Sequence, residues 1–371
     1  MRKRLSCAGV WDDDASLDPG SARGLIMARP HIVIAGGSGS AGARGAYLAG
    51  LLALDGFRVT FWTEGAPLVE LRAHGLTLTD HAGMAQRVDV DGLTWTDQTG
   101  CFRHADVVLI TAPAAENRVL AARIEAELRP RTVVITLQVG VPQQDLLTSD
   151  LLGCDLRGGI LAFDVLALGQ GCFYRTSAGP MIIGGGRGDL AARLCLPGLD
   201  VRHSREVEAL QWGRFVVDLM GAVNALSGMR LRMQMLNRGW RRLMADQWAE
   251  ALAVLGAHGL RPILTTTARP AGTIPRLLRM PTAVFRRVAD DLLPHASALR
   301  SPVAQDLMQR VPTEGGALQG ALMLMGAARE VPTPVASMLW DVLQTAEMAR
   351  QGLPDLPVRA LRRELASHKR G

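Results

Sequence analysis

Three polar residues interrupt the apolar run WGRFVVDLMGAVNALSG at 212–228: Arg214, Asp218 four positions on, and Asn224. At helical spacing Phe215, Leu219, Ala222 and Leu226 line one face, and Arg214 and Asp218 are i,i+4 neighbours. Two readings are open. The pair is an ion pair on the exposed edge of an amphipathic helix, or it is turned into a cleft to do chemistry. In a cleft, a guanidinium grips a carboxylate through two parallel N–H donors and stabilises a developing alkoxide. It is a poor proton donor, because its pKa lies above about 12.

A second group concerns phosphates. Gly37, Gly39 and Gly42 give G-x-G-x-x-G directly after the apolar run Ile32–Ala35. Glycines there permit a tight turn and let backbone N–H groups approach a pyrophosphate at a helix N-terminus. A second register, Ser40, Gly42 and Gly45, has the same spacing for its last two members. Glu64 follows Gly42 by 22 residues. An acidic side chain there accepts hydrogen bonds from ribose hydroxyls and repels a 2′-phosphate, which favours NAD(H) over NADP(H); a solvated loop glutamate is the alternative.

These residues need elements to position them. The segment 31–64 reads as strand, glycine turn, helix continuing through Tyr47–Leu54, and a second strand at Arg58–Trp62. ADVVLITAP (105–113) is a buried strand, AAENRVLAARIEAELRP a helix ending at Pro130, and TVVITLQVG (132–140) another buried strand. The stretch from LRGGILAFDV to PMIIGG reads as two or three strands. A mostly parallel sheet follows, with ligands expected outside the carboxyl ends of its strands, near Thr111–Pro113, Gln138–Gly140 and Phe163–Val165. Beyond about residue 200 the pattern turns helical, with WRRLMADQWAEALAVLGAHGL strongly amphipathic and Met323 and Met325 as core filler. The fold class expected is an N-terminal Rossmann-type α/β domain at 30–200, then an all-α domain at 201–360 that binds substrate and dimerises. Residues 1–29 are expected to be a disordered tail, with Met27 an alternative start.

Composition excludes several classes. The 371 residues suit two domains, and 48% hydrophobic content builds substantial cores. A net charge of +6 comes mostly from scattered arginine, so nucleic acid is not an expected partner, whereas anionic small molecules are attracted. No window is apolar enough to cross a membrane, and the basic start lacks the apolar run of a secretory signal. Cys7, Cys101, Cys154, Cys172 and Cys195 form no CxxC pair, and His203, His258 and His295 form no cluster, so no metal site is expected. Reduced, mostly buried thiols in a cytoplasmic protein fit this usage.

Taken in order, GAYLAGLLALDGFRVTFWTEGAPLVELRAHGLTL, ADVVLITAP, VVITLQVGV, GGILAFDV, WGRFVVDLMGAVNALSG, RLLRMPTAVFRRVADDLL and AQDLMQRVPTEGGALQG resemble the ketopantoate reductase (2-dehydropantoate 2-reductase) family in its longer bacterial form, over nearly all of 30–350. The resemblance implies a Rossmann domain, a helical domain that often dimerises, and hydride transfer from NADP(H) to a 2-oxo acid in the cleft between them. The chain departs from the family at several positions. Glu64 replaces the arginine that holds the 2′-phosphate, and Pro113 replaces a lysine. Val139 stands for asparagine in Leu-Gln-Asn-Gly, although Gln138 and Gly140 are kept; Asp164 stands for the asparagine of FNV. The catalytic lysine is Arg214, the next asparagine is Asp218, and a serine is Pro302, while Glu314 is retained after Thr313.

The resemblance therefore implies Arg214, Asp218 and Glu314 as catalytic, Gly37, Gly39, Gly42, Glu64, Gln138 and Gly140 as cofactor-binding, and Asp164 and Asn224 as substrate-binding. Lys with Asn has become Arg with Asp, a self-satisfied pair. Three functions stay open: a reductase of a 2-oxo acid, ketopantoate included; a catalytically impaired nucleotide-binding sensor or scaffold; and an NAD-dependent 2-hydroxy-acid or imine dehydrogenase.

Overall fold

HIVIA and RVTFW, rich in β-branched and aromatic residues, form two buried parallel strands, β1 (His31–Ala35) and β2 (Arg58–Trp62), joined by helix α1 (Gly39–Leu54). The computed structural model describes residues 29–369 except 38, 139, 142–146, 148, 149, 152, 266, 268, 290, 291 and 293–298. All but the last residue of the expected tail, with Met27 and Cys7, lies outside the described residues, as do Val139 and His295.

The α/β part continues with α2 (Ala66–His74), β3 (Leu76–Asp80), β4 (Ala85–Val88), β5 (Leu93–Thr96), β6 (Val107–Ile110), α3 (Asn117–Ile124) and β7 (Val133–Thr136). It closes with β8 (Asp155–Leu161), β9 (Val165–Gly169), β10 (Cys172–Arg175), β11 (Met181–Ile183), α4 (Asp189–Leu194) and β12 (Val201–His203). The main sheet runs β12-β11-β8-β7-β6-β1-β2-β5. From β8 to β5 every pairing is parallel; β11 runs antiparallel to β8. The chain winds from β1 outward through β2 and then returns to β6 on the other side, so a crevice opens at the carboxyl ends of β1 and β6, where the glycine turn lies. The Rossmann-type reading holds.

Its details shift. The helix expected up to Pro130 ends in a 3-10 turn at Glu125–Glu127, and four strands, not three, fill 155–183. A second sheet, β4-β3-β10-β9, was not expected. Its strands are short, its β3 and β10 are distant in sequence, and its β4, AQRV, is largely exposed, so the alternation of β3, LTLTD, stands alone. This sheet packs on α1 from the side opposite the main sheet. Hence α1 is buried almost all round and is built from Gly, Ala and Leu: a Cβ on Gly50 would lie 2.8 Å from Leu76.

The helical part comprises α5 (Val207–Ser227), α6 (Leu231–Leu236), α7 (Arg238–Ala257), α8 (Ile274–Arg279), α9 (Thr282–Val288), α10 (Pro302–Gln309), α11 (Gly315–Ala327), α12 (Pro334–Ala349) and α13 (Val358–His368). Helix α5 is central and packs on β8, α7, α10, α11 and α12. Phe215, Leu219, Ala222 and Leu226 are fully buried, as their spacing predicts, and Gly228 in the left-handed region ends the helix. Asn237 caps α7 through Gly239 N–H. Met323 and Met325 pack at the edge of this core. The four described cysteines are free but none is fully buried, and Cys195 is exposed, which corrects the expectation of buried thiols. Among the described residues no helix is long and apolar enough to cross a membrane.

Candidate active site

The turn after β1 is built by contact. A Cβ on Gly37 would lie 2.4 Å from Pro113 Cδ, one on Gly42 would lie 2.0 Å from the Gly37 carbonyl oxygen, and Gly39 has φ +58°. No side chain fits the first two places, and the third favours glycine. Gly45 has a different duty: its Cβ would meet Thr111 and Phe61 at 2.5 and 2.8 Å, so it lets α1 lie close on the sheet. Gly37, Gly39 and Gly42 therefore make a tight turn that leads directly into the N-terminus of α1.

A cleft of about 890 Å³ runs from this turn to the helical part. Its far wall is apolar, with Met220, Met235, Met244, Trp248, Ile274 and Leu278. Its near wall is ionic. Arg214 is 8% exposed, which rules out the exposed-edge reading. Its Nε donates to Asp218 at 2.9 Å, and its terminal nitrogens donate to Asp164 and to the Leu161 carbonyl. The i,i+4 pair is thus one half of a three-residue cluster, completed by Asp164 from the β8–β9 connection. Burial pulls the guanidinium down, but Asp164 and Asp218 more than offset this and hold it above its ordinary value. Burial pushes the Asp218 carboxyl up, against the pull of Arg214, and Asp164 adds to the rise. Arg214 therefore stays charged; it can orient and stabilise an anion but cannot readily release a proton.

Two further residues enter that sequence reasoning missed. Arg44, the one charged residue of α1, is 2% exposed and donates to Glu314 at 3.1 Å. Its Nε is buried without a hydrogen-bond partner among the described residues; such an orphan costs about 1–3 kcal/mol. The signal was an arginine inside GSAGARGAYLAGLLAL. Asp306, on α10, accepts from Ser40 N–H and Ser40 Oγ, both at 3.1 Å, at the start of α1. Burial pushes its carboxyl up to about 7; Ser40 opposes this and the charge of Glu314 adds to it. Ser301 starts α10 by accepting from Ala304 N–H, ahead of Pro302 at the first helical position.

Other expected residues serve elsewhere. Asn224 is fully buried outside the cleft: its amide donates to the Met229 carbonyl and Gln234, and its oxygen accepts from Ser301 N–H at 2.8 Å. The substrate-binding reading of Asn224 is corrected; both its donors are spent, and it anchors the start of α10. Gln138 is likewise buried, joined to Asn117 and donating to the Ala112 carbonyl at 2.7 Å, so it ties together the loops after β6 and β7 and presents no free amide to a cofactor. Gly140, at φ +120°, faces Leu318 of α11. Glu64 lies two residues past β2 rather than at its end, and Arg123 of α3 grips both its oxygens at 2.6 and 2.7 Å, with the guanidinium 5.0 Å from the Trp62 ring. Among the described residues no cluster of His, Cys, Asp and Glu could hold a metal. His203 and His258 bond the Gly185 and Met325 carbonyls.

Two family models match: "Ketopantoate reductase PanE/ApbA" over residues 32–188 and "Ketopantoate reductase PanE/ApbA C terminal" over 206–347. No curated protein sequence matches the chain. Among solved structures, the PanE/ApbA family ketopantoate reductase from Ralstonia eutropha JMP134 is 23% identical with a TM-score of 0.69, covering 86% of this chain and 99% of its own. A ternary structure of D-mandelate dehydrogenase with NADH and anilino(oxo)acetate is 17% identical, with TM-score 0.69 and the same coverage. The 2-dehydropantoate 2-reductase from Methylococcus capsulatus is 16% identical, with TM-score 0.64, over 86% of this chain and 98% of its own. At these identities the likeness is one of fold.

Proposed function

The chain belongs to the ketopantoate reductase PanE/ApbA family, and on that premise we propose that it is a nicotinamide-dinucleotide-dependent oxidoreductase that reduces a 2-oxo acid to the 2-hydroxy acid. The observation that carries this reading is the cleft itself, which reaches from Ser40, at the start of α1 beside the glycine turn, to a buried, charged Arg214. A reduced nicotinamide, when bound, supplies the hydride. Arg214 holds the carbonyl oxygen and stabilises the alkoxide that develops there. The proton for that oxygen comes from another group, and Asp218, a buried carboxyl pushed up by burial while bonded to the same guanidinium, is the candidate for the role.

The apolar wall supports an acid with a bulky apolar side chain, so arylglyoxylates are candidates beside ketopantoate. That wall and the D-mandelate dehydrogenase likeness favour a 2-hydroxy-acid dehydrogenase as the second reading. Of the two cofactors, Glu64 supports NAD(H): its carboxylate already takes up the arginine that a 2′-phosphate would need. Exposed Leu324 and Met348, on the packed helices α11 and α12, support the expected homodimer.

The test follows NADH and NADPH absorbance with ketopantoate and phenylglyoxylate, with nucleotide binding measured on the same sample. Turnover, faster with NADH, is expected. Nucleotide binding without turnover of either acid would mean that the Asp164–Arg214–Asp218 cluster has closed the site to this chemistry and that the fold serves sensing.

A further inference from the structure

We propose that Arg44, on the nucleotide-side helix α1, is the residue that grips the substrate carboxylate, so that the anion-binding charge of this cleft has moved from α5 to α1. The inference rests on the reading of the cleft as a 2-oxo acid site. Two arginines line the ionic wall, and they differ in what they have left to give. Arg214 is committed to Asp164, Asp218 and the Leu161 carbonyl, with two carboxylates set against its single charge. Arg44 bonds one carboxylate, Glu314, through one terminal nitrogen, with Asp306 and Asp218 near enough to feel its charge, and its buried Nε–H has no partner among the described residues. A guanidinium offers five N–H donors in a planar fork that matches a carboxylate. Arg44 and Glu314 both line the cleft, so a carboxylate that displaces Glu314 there would meet this guanidinium.

Position separates a substrate carboxylate from a cofactor phosphate. A pyrophosphate would sit at the N-terminus of α1, beside Ser40, whose N–H donates to Asp306. Arg44 lies five residues beyond Gly39, about 7 Å along the helix at the usual rise. Its side chain reaches towards Glu314 on the helical side, away from the strand ends. A third arginine, Arg300, also lines the cleft with a buried Nε lacking a partner among the described residues, but it serves the end of α5, donating to the Gly228 carbonyl at 3.0 Å. Arg44 is the more deeply buried of the two and shares its carboxylate partner with no other cation of the cleft.

The experiment uses the full chain. Calorimetry measures phenylglyoxylate, ketopantoate and the neutral phenylglyoxylamide against the protein saturated with NAD+, which cannot reduce them, and fluorescence measures NADH alone. For Arg44→Gln the acids are expected to weaken at least about 30-fold, while amide and NADH affinities hold within about threefold; Arg44→Lys, which keeps the charge but not the fork, recovers part of the loss. Melting temperatures show that the variants fold, and Arg44→Gln/Glu314→Gln removes the carboxylate that the single variant strands. Acid affinity lost in both supports the proposal. Acid affinity restored in the double variant overturns it, because repulsion from Glu314 was then the cause. Acid binding untouched by Arg44→Gln but lost in Arg300→Gln also overturns it, as does a loss confined to NADH, which would make Arg44 a phosphate ligand. A wild-type protein that binds NADH but neither acid refutes the underlying reading of the cleft instead.

Discussion

Arg214 holds two carboxylates at once, and this determines what chemistry is left to it. With Asp218 and Asp164 both bonded, the guanidinium is fixed in place and its charge is internally balanced. In the family pattern a lysine and an asparagine stand at 214 and 218, so the substitutions exchange a tunable proton donor for a rigid cation. The double variant Arg214→Lys/Asp218→Asn is expected to raise kcat for 2-oxo acid reduction roughly 10- to 100-fold, since a positioned general acid is worth roughly 10²–10⁴-fold. Steady-state kinetics across pH would check it: a gain accompanied by a new, higher-pH limb supports the lysine as acid, and an unchanged kcat shows that protonation already has an adequate donor. The i,i+4 spacing was legible in the sequence. Its burial was not, because the partner that draws Arg214 inward is 50 residues away in the chain.

At the scale of elements, close backbone approach does much of the positioning. Helix α5 meets the segment around Ile263 at Gly213, where a Cβ would lie 1.8 Å from the Ile263 carbonyl oxygen. Ile263 N–H donates to the Ala209 carbonyl at 2.9 Å, and Thr265 and Thr267 beyond it line the cleft. Gly213→Ala puts a methyl group against backbone that cannot rotate aside. It is expected to destabilise the fold by about 2–3 kcal/mol, towards the upper end of overpacking costs, read from the urea midpoint at unchanged slope. A shift under about 0.5 kcal/mol would show that the segment is free to move. The glycine cradle after β1 belongs to the same class of feature, and its sequence spacing did reveal it, because strand, turn and helix follow one another directly. The second sheet did not show itself, since β3 pairs with β10 over 90 residues away; the alternation of LTLTD marks a strand but not its partner.

Across the whole molecule, the two halves meet through charge at the N-terminal end of α1. Ser40 at the start of α1 binds Asp306, and Arg44 binds Glu314. The Asp306 carboxyl is pushed up to about 7 from an ordinary 3.8. Its folded value lies above its unfolded one, so its contribution to stability is complete below pH 3.8 and is lost as pH rises through about 7. A dinucleotide brings phosphates to the same helix N-terminus and binds better when Asp306 is protonated. The dissociation constant for NADH is therefore expected to rise roughly three- to tenfold between about pH 6 and about pH 8, and Asp306→Asn to flatten that rise. A fluorescence titration at several pH values measures it, and an equal slope in the variant would assign the effect to another group.

What the sequence by itself determined was local: the glycine turn between strand and helix, the apolar face of α5, the i,i+4 relation of Arg214 and Asp218, and the switch from parallel sheet to helices. Each depends on residues within a few turns of one another, where backbone periodicity alone sets the geometry. The tertiary structure decided which of those residues meet in the cleft and which serve packing. It added Asp164 to the Arg214 pair, brought Arg44 against Glu314 across 270 residues and Ser40 against Asp306 across 266, and used up the amides of Asn224 and Gln138 in holding loops. The physical reason is that a buried polar group must find its partner wherever the packed chain supplies one, and sequence separation places no limit on that choice.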